Sequence, residues 1–155
     1  MNMNSIVKGI SIVAVSFALI ACGNKNTSAV QPDVETLAQT LVSELDFSGS
    51  LMEMDASSTE MYFSLPSTTE AAFYMGMRST SEAVGVFKCQ DEAEANDVLA
   101  SVNEYLAEQK EAYSRYMPEA AAMLDEAAVV KNNNYVVFVV SGDKTAAVDK
   151  INSEF

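Results

Sequence analysis

Five apolar residues in succession, Val136-Val137-Phe138-Val139-Val140, restrict the possible folds of this chain more than any other stretch. Side chains alternate between the two faces of a strand, so a strand with one wet face shows alternating polarity. A β-branched run without alternation needs cover on both faces, which places it in the interior of a sheet. Ser141-Gly142-Asp143 breaks the run, and Asp143 is suited to cap a last helix carrying Ala147, Ile151 and Phe155 on one side. Upstream, Ala128 to Lys131 reads as a second strand, with Asn132-Asn133 as a tight-turn signal between the two.

The preceding segments supply the cover. Pro32 and Asp33 mark a helix start, and Val34, Leu37, Ala38, Leu41, Val42 and Leu45 follow at helical spacing. A small domain needs that stripe for its own core, so docking on its own sheet is favoured over docking on a partner. Phe47 to Pro66 mixes Met, aromatic, Ser and acidic residues and shows no clear period, apart from a short helix around Ser57 to Phe63. Ala71 to Arg78 and Ala83 to Cys89 read as antiparallel strands joined at Ser79-Thr80-Ser81. Asp91 then caps a long helix, with Glu94 at the capping-box position and a stripe of Val98, Leu99, Val102, Tyr105, Leu106, Tyr113 and Tyr116. Pro118 ends this helix or opens the next, and Ala120 to Ala127 reads as a short helix. A shift of 52 residues superposes Val84 on Val136, Asp91 on Asp143, Ala95 on Ala147 and Asp97 on Asp149. The expected fold is therefore α+β: a four-stranded antiparallel sheet from two ββα-like units, packed with an N-terminal helix and a long central helix.

The first 22 residues bear on location. Lys8 precedes an apolar run from Ile10 to Ile20, followed by Ala21 and Cys22. About a dozen residues is short of the roughly 20 needed to cross a bilayer and suits a secretory signal. The order Leu19-Ile20-Ala21-Cys22 resembles the lipobox of bacterial lipoproteins. That resemblance implies cleavage between Ala21 and Cys22 and a diacylglycerol joined to the Cys22 thiol, for which a thiolate is a suitable nucleophile. An uncleaved anchor and a soluble secreted product are the competing readings. The expected organisation is a signal peptide over 1–21, a lipid-anchored polar tether over 22–31 and a single α+β domain over 32–155. Two acyl chains give a stable anchor where one is marginal.

Removal of the first 21 residues leaves 134 of the 155, with all 22 acidic residues and all but one of the 9 basic ones, so the formal charge moves from −13 to −14. Such a chain repels nucleic acid and anionic headgroups, which makes both poor partners. With Cys22 committed to lipid, Cys89 has no intramolecular disulfide partner, and no histidine is present. Ser-His-Asp and Cys-His catalysis and histidine zinc sites are thereby excluded.

From about Val34 onward the chain resembles a family of small lipoproteins from Gram-positive anaerobes known only as a domain of unknown function. The resemblance rests on Glu82-Ala83-Val84-Gly85-Val86-Phe87-Lys88, the capped helix, Tyr113-Ser114-Arg115-Tyr116-Met117-Pro118-Glu119, the Asn turn and the Tyr135 to Val140 strand. It implies a lipid-anchored extracytoplasmic domain and supplies no activity, ligand or catalytic residue.

Other candidates compete with plainer explanations. Met52-Glu53-Met54 and Met75-Gly76-Met77, near Met61, have thioether spacing for Cu(I), although Met commonly fills core gaps. Ser141-Gly142-Asp143-Lys144 matches S-x-x-K, but its companion motifs are missing and a turn with a helix cap accounts for it. Cys89 reads as a buried inert thiol. Asp91, Glu92, Glu94 and Asp97 read as a helix start more readily than as a Ca²⁺ site. Tyr105, Tyr113 and Tyr116 read as core and core edge before a recognition surface. The function expected is a non-enzymatic binding or interaction module on the extracytoplasmic face of the cell membrane, with a possible protein partner, no assigned metal site and no cofactor. Cation binding is the alternative, followed by a hydrolase that works without histidine.

Overall fold

A computed structural model describes residues 31–77 and 79–155. The predicted signal peptide over 1–21, with Ala21 and Cys22, and the tether as far as residue 30 lie outside the described residues.

The elements run in the order α1 (Val34–Glu44), β1 (Met52–Met54), α2 (Ala56–Tyr62), β2 (Glu70–Met75), β3 (Ala83–Lys88), α3 (Glu92–Ser114), α4 (Pro118–Asp125), β4 (Ala128–Asn132), β5 (Tyr135–Val140) and α5 (Lys144–Ser153). The strands form one antiparallel sheet in the order β1-β2-β3-β5-β4. The fold is α+β, and the expectation of four strands is corrected to five. The extra strand, Met52–Met54, lies at an edge against Met75, Tyr74 and Phe73. Three residues are too few to establish a period of two, which is why the sequence did not disclose it.

Both faces of the sheet are covered. One layer contains α1 and α5, with Leu37, Leu41, Ala147 and Ile151 packed on Tyr74, Val84, Val86, Val137 and Val139. The other contains α3 with Phe63, just after α2, and Leu124 of α4, packed on Phe73, Phe87, Val136, Phe138 and Val140. All six residues of β5 are buried, as the unbroken apolar run requires. The two ββα-like units are β2–β3–α3 and β4–β5–α5, yet their helices occupy opposite layers. Val84 and Val136, superposed by the 52-residue shift, accordingly face opposite ways. The sheet register pairs Val84 with Val139 and Phe87 with Val136, so side-chain parity differs between the two units.

Aspartates start four of the helices. Asp33, Asp55, Asp91 and Asp143 each accept a backbone N–H three residues on, from Thr36, Ser58, Glu94 and Ala146. Pro118 occupies the first turn of α4 and so begins a helix, one of its two expected roles. The turn between β4 and β5 holds Asn133 at φ 51°, a backbone region that Asn tolerates better than most side chains.

The chain joins the body at the Tyr135 end of the sheet, where the Tyr135 hydroxyl donates to Pro32 O at 2.9 Å, while the Tyr74 hydroxyl, from the other end of β2, donates to Glu35 in the first turn of α1. Lys88 pairs with Glu70 at 3.3 Å at the same proximal end. The opposite, distal end is marked by the aligned residues Met75, Ala83 and Val140.

Candidate functional site

A six-residue strand such as β3 spans about 17–20 Å, whereas the 23 residues of α3 extend about 34 Å. α3 starts at the proximal end, so its last turns overhang the distal end. α4 folds back beneath them, and the β2–β3 loop rises to meet the corner. Three contacts fix this arrangement. The Tyr113 hydroxyl donates to Thr80 O at 3.0 Å, the buried Ser81 hydroxyl donates to Ala120 O at 2.8 Å, and Gly76 N donates to Glu82 O at 2.8 Å.

Glu82 secures the loop from the other side. Glu82 is only 3 % exposed, and its carboxylate accepts from Ser48 N at 2.7 Å and Ser48 Oγ at 2.6 Å. A buried carboxylate is tolerable only with such donors. Ser48 belongs to the α1–β1 connection, so three separate segments converge.

They border an open cavity of about 430 Å³ lined by Ser48, Ser79, Thr80, Tyr116, Met117 and Pro118, with Glu119, Ala120 and Met123 on the α4 side. This volume lies in the range of small-ligand sites, and an apolar wall beside a few hydroxyls is their usual lining. Tyr116 is 66 % exposed and packs against Tyr113 at a ring-centroid distance of 5.7 Å. A second cleft of about 530 Å³, between Ser64–Pro66 and Asp97–Glu104, is larger but has no aromatic ring in its lining and includes two carboxylates. The distal cavity is the better candidate for binding.

The other candidate residues are occupied locally. Glu94 accepts from the Thr68 and Thr69 hydroxyls at 2.7 and 2.6 Å, Asp91 caps α3, and Glu92 lies 3.9 Å from Lys131. The Ser141 hydroxyl donates to Asp143 O at 3.4 Å, and Lys144 lies 3.9 Å from Glu126. Among the described residues, no group of three or more Cys, Asp and Glu is placed to hold a metal ion. Met52 lies opposite Met75, but Met54 and Met75 pack on the aromatic layer while Met52, Met61 and Met77 are exposed. Cys89 is buried, and burial followed by the charge of Glu94 pushes its thiol up to about 11. Of the tyrosine stripe, Tyr105 lies in the core, Tyr113 at its edge and Tyr116 at the cavity. Burial pushes the Tyr113 phenol up as well.

A family model described as a domain of unknown function, DUF4358, matches residues 43–141. The chain belongs to the DUF4358 family. No curated protein and no solved structure matches it. The DUF4358 span begins near the end of α1 and stops just after β5, narrower at both ends than the resemblance read from Val34 onward. It contains all five strands and every residue that lines the distal cavity. Of the motifs that carried the resemblance in sequence, Tyr116 to Glu119 line this cavity and Glu82 holds Ser48 at its wall.

Ser48, Thr80, Glu82 and Met123 were not singled out as site residues. Glu82, an acidic residue directly before an apolar strand, is the one signal that points to them. Among the described residues, no helix is long and apolar enough to cross a membrane.

Proposed function

We propose that this DUF4358 chain is a lipoprotein anchored through Cys22 to the extracytoplasmic face of the cell membrane, with a non-enzymatic body that binds its partner at the distal cavity. The observation that carries the reading is the position of that cavity, at the end of the sheet opposite the point where Pro32 joins the body. A tether of about ten residues reaches at most about 35 Å, and a body held by that end presents the cavity away from the bilayer. Among the described residues, the cavity lining includes one carboxylate, Glu119, and no cysteine or lysine. The acidic body favours solubility and disfavours nucleic acid.

Fractionation tests the anchor. The native chain is expected in the membrane fraction as the processed form, and Cys22→Ala is expected to accumulate as a longer unprocessed form. Equal processing of both would overturn the anchoring. A second reading, cation binding, rests on the Met52–Met75 pair across β1 and β2. Stoichiometric Cu(I) uptake at neutral pH, lost in Met52→Leu, would favour it over the first.

A further inference from the structure

We propose that the distal cavity is a site for a neutral N-acetylated saccharide, with Tyr116 as the stacking platform. The inference rests on the preceding reading of the cavity as a binding site. Tyr116 is 66 % exposed, and its ring is packed on one side rather than standing free. Tyr113 packs on it at 5.7 Å, and the Tyr113 hydroxyl is tied to Thr80 O. The exposed ring is therefore pre-positioned, which reduces the ordering cost of binding. A flat aromatic face suits the C–H face of a pyranose.

The rest of the lining matches the edge of such a ring. Ser48 spends its N–H and O–H on Glu82, leaving the hydroxyl oxygen as an acceptor. Thr80 Oγ1 accepts from Glu82 N at 3.2 Å, leaving its O–H as a donor. Glu119 adds a carboxylate acceptor for sugar hydroxyls. Met117, Pro118 and Met123 form the apolar part of the lining, which suits an acetamido methyl group. Charge weighs against the main competitors, since Glu119 and an acidic body at −14 after loss of residues 1–21 disfavour phosphorylated or carboxylated ligands.

The test is a titration of the ¹⁵N-labelled chain, purified from membranes in detergent, with N,N′-diacetylchitobiose, alongside cellobiose and trialanine. The disaccharide with acetamido groups is expected to shift the amides of Ser79, Thr80, Glu119 and Ala120 saturably, with Kd of about 1 mM or tighter. Tyr116→Ala should weaken binding at least about tenfold and Tyr116→Phe should retain it, because stacking uses the ring face. Amide spectra away from the cavity show that both variants are folded. No saturable shift, shifts elsewhere, unchanged affinity in Tyr116→Ala, or cellobiose binding as tightly would each overturn the proposal. Trialanine shifting the same amides when neither sugar does would overturn the saccharide assignment and leave the cavity as a binding site. Silence from all three probes would count against both, and the fractionation of Cys22→Ala reports on the anchor independently.

Discussion

Gly85 faces Phe138 across the β3–β5 pair, and a Cβ added to Gly85 would overlap the Phe138 ring. The absent side chain is what lets that ring lie flat on the sheet among Phe63, Phe73, Phe87 and Tyr105. Gly85→Ala is expected to destabilise the fold by about 1–3 kcal/mol, the usual cost of overpacking. Urea unfolding would show this, and Phe138→Leu in the same chain should recover part of the loss. An equal or greater loss in the double variant would contradict the steric account. Cys89 gives a second test at this scale. With its thiol pushed up to about 11 and its side chain buried, it should react with a disulfide reagent at pH 7 only after unfolding. Rapid labelling of the folded chain with Cys22 blocked would contradict that burial.

At the scale of elements, helix starts and central strands were legible, whereas edges and faces were not. Asp33, Asp91 and Asp143 announced their helices because an N-cap is a local interaction between neighbours in sequence. The Val136–Val140 run announced its burial for a similar reason, since every side chain carried the same message. The strand Met52–Met54 was hidden because an edge strand of three residues depends on its partner Phe73–Met75 rather than on its own pattern. The distal cavity was hidden because its contacts, Ser48 to Glu82 and Ser81 to Ala120, join residues 34 and 39 positions apart. The caps also predict an acid response. Thr36 N and then the Thr36 hydroxyl hold the Asp33 carboxyl below its ordinary 3.8, and Ser58 N does the same for Asp55. A carboxyl lowered in the folded state contributes stability in full above its unfolded value of about 4, and that contribution is lost as pH falls through the folded value. The urea midpoint should therefore fall less between about pH 4 and about pH 2 in Asp33→Asn with Asp55→Asn than in the parent. Identical falls in the two chains would contradict the capping account.

For the whole molecule, two helical layers on one antiparallel sheet produce a body with distinct ends. The N-terminal arm is pinned at one end by Tyr135, and the overhang of α3 over the sheet opens a cavity at the other. The DUF4358 span covers the sheet and the cavity but neither α5, nor most of α1, nor the arm. On the proposed reading, the DUF4358 span holds the part that meets a partner, while the arm sets where the body is held. The most direct test of this account is the mass of the N-terminal peptide from the chain made in its native host. The account predicts a peptide that begins at Cys22 and carries a thioether-linked diacylglycerol. A peptide that still begins at Met1, or one that begins at Cys22 with a free thiol, would contradict it.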